Sequence, residues 1–157
     1  MKNFLLILTA FLTVSPALLS AEEKHDHGAA PAVQELQLNN GKKWETDAPL
    51  RTGMSKLKDV VASRLDEIHN GKMTKAQYTE LAAKITEQTE FIFKNCKLSP
   101  KADAQLHMIL VPILDGTRAM KEAEPAAERE QGAVKVVKAL SQYPKYFNHA
   151  GWKPLVH

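Results

Sequence analysis

Residues 47–68, DAPLRTGMSKLKDVVASRLDEI, decide the fold. Asp47 is a good helix N-cap, because its short carboxylate accepts from an orphan N–H of the first turn. Pro49 falls in that turn, where its missing N–H costs nothing. Leu50, Met54, Leu57, Val61, Leu65 and Ile68 then recur at steps of four and three. That is one apolar stripe on a helix, not the alternation of a strand. Asn70-Gly71 ends the segment, with Gly71 able to take the left-handed cap conformation.

Three more helices are predicted downstream. Thr74 with Gln77 three residues on makes a capping box, followed by a stripe of Tyr78, Leu81, Ile85, Ile92 and Cys96 that Gln88 and Thr89 interrupt. Ser99-Pro100 opens the third, which carries Ala102, Leu106, Ile109, Leu110, Ile113, Leu114 and Met120, with Pro112 inside it. The fourth begins at Pro125, shows Ala133, Val134, Val137 and Leu140, and is expected to stop at Pro144. Helices of about 20 residues joined by short turns make an all-α, up-down-up-down four-helix bundle over residues 47–148. The aromatic residues around the 149–157 C-terminal extension are expected to fold back over one end.

Working outward to the N-terminus, residues 1–21, MKNFLLILTAFLTVSPALLSA, carry one early charge, an apolar stretch, and small residues before an acidic start. This is the layout of a signal peptide, with cleavage expected after Ala21. The alternative is an uncleaved N-terminal anchor, which the Ser15-Pro16 break and the Ser20-Ala21 end disfavour. The chain is therefore expected in a bacterial periplasm, where ATP-driven and nicotinamide chemistry is out of place. Residues 22–46 are polar and read as a flexible arm, with Trp44 as an anchor against the helices.

Removing Lys2 with the signal leaves twenty of the 21 basic residues against eighteen acidic ones. Their alternating signs describe solvated helix faces, not a nucleic-acid footprint. After the signal, no segment approaches the roughly 18 apolar residues of a membrane span. Cys96 is the one cysteine, so no internal disulfide can form.

Candidate ligands follow from the bundle. Met54 and His107 lie seven and eight residues from the starts of helices one and three. At about 1.5 Å per residue both sit about 10–12 Å from the same end. Gln88 and Thr89 fall at that depth on helix two, so a thioether, an imidazole, an amide and a hydroxyl are expected in one layer. Imidazole binds zinc, copper or haem iron, and a thioether selects Cu(I) or haem iron. Cys96 is a soft ligand roughly 10 Å away along the axis, too far for one ion to take it with His107. Each of these residues has a plainer reading as core: Met54 fills gaps, Cys96 is a small hydrophobe, and His107 is a hydrogen-bonded histidine. Pro112 either opens space beside the layer or only bends its helix. In the arm, His25-Asp26-His27 places two imidazoles around a carboxylate, a weak site for Cu(II), Zn(II) or Ni(II), or a solvated tail.

Several chemistries are set aside. There is no C-x-x-C-H for covalent haem, no G-x-S-x-G, H-E-x-x-H or Gly-rich phosphate loop, and no Glu-x-x-His pair on a core face. No catalytic constellation emerges, and the chain reads as a non-enzyme.

Two stretches, GKKWETDAPLRTGM and NCKLSPKADAQLHMIL, resemble a family of small uncharacterised exported proteobacterial proteins. That resemblance implies an exported helical domain and no particular activity. The architecture is similar to the cytochrome b562 and c′ bundles, in whose b-type members a helix-one methionine and a last-helix histidine hold the haem. Met54 matches the first role. The fourth helix has no internal histidine, so His107 would serve from the third.

The leading expectation is a periplasmic metal-binding or metal-stress protein with copper as the favoured ion, using His25, His27, Met54, His107 and Cys96. The alternatives are a haem b bundle held by Met54 and His107, or an envelope protein-interaction module without a cofactor. The partner is then a metal ion or another envelope protein.

Overall fold

The computed structural model describes residues 35–155. The expected signal peptide and His25 and His27 lie outside the described residues. Five helices follow one another: α1 (Ala48–Ala62), α2 (Leu65–His69), α3 (Lys75–Asn95), α4 (Pro100–Glu122) and α5 (Ala126–Tyr146). Two short strands flank them, β1 (Trp44–Glu45) and β2 (Phe147–Asn148). The fold is all-α, and no helix among the described residues is long and apolar enough to cross a membrane.

The caps lie where the sequence puts them. Asp47 accepts from Leu50 N at 2.8 Å, Ser99 from Ala102 N at 3.4 Å, and Thr74 and Gln77 form the full capping box. Gly71 takes φ +59°. Two boundaries differ from expectation. The first helix breaks at Ser63 and Arg64, where the Arg64 N–H turns back to the Val61 carbonyl (3.0 Å) and the Ser63 hydroxyl donates to Val60 (2.7 Å). Leu65 and Ile68 stay buried on the short α2 that follows. Pro144 does not stop α5, which continues to Tyr146. One lost hydrogen bond near a helix end is tolerated because Tyr143 and Phe147, on either side, are buried and hold the last turn.

α4 packs most extensively on α5, α1 packs on α3, and α3 on α4. The α4–α5 contact depends on two glycines. A Cβ on Gly116 would lie 2.4 Å from the Gly132 carbonyl oxygen, and one on Gly132 would lie 2.6 Å from the Gly116 oxygen. Backbone therefore touches backbone, which no larger residue permits. The apolar stripes of all the helices merge into one core that includes Leu50, Met54, Leu57, Ile85, Ile92 and Leu106. Pro125 gives α5 no side-chain cap, and the buried Arg129 serves the turn instead. Its Nη1 donates to the carbonyls of Ala123 and Glu124, both at 2.6 Å.

The second half of the expected flexible arm is tied down. Asn39 and Lys42 form a tight antiparallel bridge around Asn40-Gly41, both with positive φ, a two-residue hairpin turn. Gln37 N donates to Gln105 Oε1 of α4 (2.7 Å), and Trp44 Nε1 donates to the Gln37 carbonyl (2.6 Å). β1 pairs in parallel with β2, Trp44 opposite Phe147, and Thr46 Oγ1 donates to Asn148 O at 2.6 Å. Hydrogen bonds and the buried Trp44 ring together outweigh the polar composition of residues 35–46.

Asp47 links the start of α1 to the turn between α3 and α4. Besides capping α1, its Oδ2 accepts from Lys97 N in the turn after α3, at 2.6 Å. Asp47→Ala removes the cap and leaves the Lys97 N–H without its acceptor. It should lower unfolding free energy by about 2 kcal/mol in urea titrations, with Asp47→Asn recovering part of that. Gly116→Ala should cost at least about 2 kcal/mol in the same measurement, because backbone cannot yield as a side chain can.

Candidate functional site

The turn from α3 into α4 brings a thiol, a carboxylate and an imidazole to one place. α3 ends at Asn95, and Cys96 leaves the helix with extended backbone while its N–H still bonds to the Ile92 carbonyl at 2.9 Å. Its Sγ donates to Asp47 Oδ1 at 3.7 Å. Ser99 then starts α4, and Asp103 and His107 follow one turn apart. His107 Nδ1 lies 2.9 Å from the Asp103 carbonyl oxygen and 3.4 Å from Asp103 Oδ2. A carbonyl only accepts, so Nδ1 carries the hydrogen and the neutral ring keeps its lone pair on Nε2. Histidines that bind metals are oriented in this way. The Phe93 ring lies 6.0 Å from the imidazole.

A surface pocket of about 240 Å³ is lined by Cys96, Asp103 and His107 together with Phe93, Ile92 and two leucines. Burial pushes the Cys96 thiol up to about 12, with the charge of Asp47, its hydrogen bond and the charge of Asp103 adding to the effect. The side chain is a thiol at neutral pH. The negative charges of Asp47 and Asp103, which add to the effect of burial, also favour a cation near the thiol.

The expected layer does not assemble. Met54 has no exposed surface and belongs to the core, and Gln88 and Thr89 are buried as well. The Thr89 hydroxyl donates to Thr86 O of its own helix (2.9 Å). His107 instead faces outward with its side chain 52% exposed, and the pocket it lines does not include Met54. The Met54/His107 pair expected to hold a haem is thus split between core and surface. Spacing along a helix does not fix the direction in which a side chain leaves it, and here Met54 points into the core while His107 points outward. Cys96 moves the other way: its extended cap conformation puts it on the same pocket as His107, although axial spacing alone set them apart. Among the described residues, no group of three or more His, Cys, Asp or Glu side chains is placed to hold a metal ion.

A second cluster was not foreseen. His149 Nδ1 lies 3.0 Å from the Tyr143 hydroxyl, and its Nε2 lies 3.3 Å from Ser55 Oγ on α1. Gly151, at φ +80°, turns the chain so that Trp152 N bonds back to His149 O (3.1 Å). That conformation is open to glycine and strained for other residues. The Trp152 ring then covers Tyr143 at 4.9 Å and His149 at 5.0 Å, with Phe147 stacked on Tyr143 at 5.2 Å. Burial holds the His149 imidazole below its ordinary value, helped by the positive charges of Arg51 and Lys58. Burial also raises the Tyr143 hydroxyl above its usual range. The aromatic fold-back was legible in FNHAGW. The partner Ser55, 94 residues away, carried no local signal.

No protein-family model, no curated protein and no solved structure matches this chain. The surroundings of His149 give the fold a pH dependence. The His149 imidazole takes up its proton less readily folded than unfolded, so its contribution to stability is complete above about pH 6.5 and is lost as pH falls through the lower folded value. The drop in melting temperature between about pH 7.5 and pH 5.5 should be smaller in His149→Gln than in the natural chain.

Proposed function

We propose that this chain is an exported, non-enzymatic metal-binding protein of the bacterial periplasm, with copper as its favoured ion. In this reading the helices form an up-down-up-down bundle that serves as a rigid frame for the pocket at the α3–α4 turn. The observation that carries it is the convergence of Cys96 and His107 on that pocket, with Asp103 setting the imidazole tautomer. A thiol and an imidazole together suit Cu(I), and a metal ion takes the place of the thiol proton when it binds. The nearby carboxylates of Asp47 and Asp103 favour a cation over a neutral ligand. Met54 is withdrawn from the ligand set because nothing outside the core reaches it.

Competition against a chromophoric Cu(I) chelator tests the reading on residues 22–157. The natural chain should withdraw about one equivalent of Cu(I), and Cys96→Ser with His107→Ala should lose at least about tenfold in affinity. A natural chain that withdraws no copper overturns it. The exposed Phe93, Val111 and Leu114 on α3 and α4 would then favour the envelope protein-interaction module.

A further inference from the structure

α4 packs against α5 and α3, and its outer side carries a pattern that the core does not use. Ala104, His107, Val111, Leu114 and Arg118 follow one another at steps of three and four, and all five are exposed. This is the period with which one helix meets another along a straight seam. α4 stays helical through Pro112, so its 23 residues carry the seam for about 35 Å without a break. Val111 and Leu114 are the apolar centre, and Phe93 of α3 lies beside the His107 ring at the edge. Charges stand at both ends: Lys101 and Asp103 at the start of α4, Arg118 and Glu122 near its finish. A second α4 laid parallel on this stripe would set Asp103 against Asp103 and Arg118 against Arg118. Laid antiparallel about the midpoint of Val111 and Leu114, it sets Val111 of one copy on Leu114 of the other. Arg118 of the second copy then falls beside His107 and Asp103, and its Glu122 beside Lys101. Like charges meet in the first arrangement and opposite charges in the second.

We infer that the outer stripe of α4 binds a second copy of this chain, helix against antiparallel helix, as a two-fold dimer. The inference does not rest on the metal-binding reading. A two-fold contact uses the same patch on both copies, so each favourable charge pairing occurs twice. Contact between Val111, Leu114 and Ala104 supplies the attraction, while the exposed ion pairs select the direction more than they add strength. His107 fits the seam because its Nδ1–H is committed to the Asp103 carbonyl, which leaves Nε2 free to accept from the second copy's guanidinium. With 21 basic and 18 acidic residues, the chain carries too little net charge to hold two copies apart. A metal ion on His107 and the arriving Arg118 compete for the same nitrogen, so the two kinds of binding are measured separately.

The test is sedimentation equilibrium of residues 22–157, with metal removed, over a range of protein concentrations. The natural chain should approach twice its monomer mass as concentration rises. Val111→Glu should stay monomeric, and since Val111 is exposed in the single chain the substitution leaves the core untouched. Arg118→Glu should weaken the dimer at least about tenfold, because it sets an acid against Asp103 of the other copy in two places. Adding Asp103→Arg to that variant should restore the affinity, which a damaged fold would not allow. Disulfide trapping in a Cys96→Ser background reads the direction: chains carrying Ala104→Cys should cross-link to chains carrying Lys121→Cys and not to one another. A natural chain that is monomeric throughout overturns the inference and leaves the stripe to a different protein. A dimer that survives Val111→Glu, or that cross-links Ala104→Cys to itself, overturns it as well. None of these outcomes bears on copper binding, which the chelator competition decides.

Discussion

Much of this structure depends on the two oxygens of one carboxylate. Asp47 Oδ1 accepts the Leu50 N–H in the first turn of α1 and the Cys96 thiol, and Oδ2 accepts the N–H of Lys97. The start of α1, the end of α3 and the entry to α4 are therefore referenced to a single side chain. Because α4 begins three residues after Lys97, the register of Asp103 and His107 against Cys96 is set from the same point. Burial raises the Cys96 thiol first, and the charge that organises the helix ends adds to that effect.

The two histidines nearest the candidate sites show how opposite environments follow from small differences in placement. His107 projects from an outer stripe of α4 beside a carboxylate and keeps one nitrogen lone pair outward. His149 lies among rings, with hydroxyls on both nitrogens and cations from α1 nearby. The first surroundings suit a group that receives a cation. The second suit a group that braces the C-terminal fold-back and resists taking a charge.

Helices were legible in the sequence because their causes are local. Asp47, Thr74 and Ser99 act within three residues, and the stripes repeat within one turn. The Asn40-Gly41 hairpin turn was equally local, yet the polar residues around it read as a loose arm. The site was half legible. His107 and Cys96 stood out by residue type, but helical depth does not say which side a residue faces, and Met54 was paired with the wrong partner on that account. Long-range pairings such as Ser55 with His149, or Trp44 with Phe147, leave no pattern in either segment alone. They become readable only when both ends of the chain are folded together.

The parallel pairing of β1 with β2 has a kinetic side. Thr46 and Asn148 stand 102 residues apart, so this contact closes nearly the whole described chain into one loop. Closing a flexible loop of that length costs roughly 4 kcal/mol of chain entropy, which two residues of strand do not repay alone. The pairing has to wait until the helices have shortened the path between its ends. A chain that emerges N-terminus first cannot give Trp44 its partner until Phe147 has also emerged. The last bond made in folding is then the one that joins the beginning of the domain to its end, and it should be the first to open when the domain breathes.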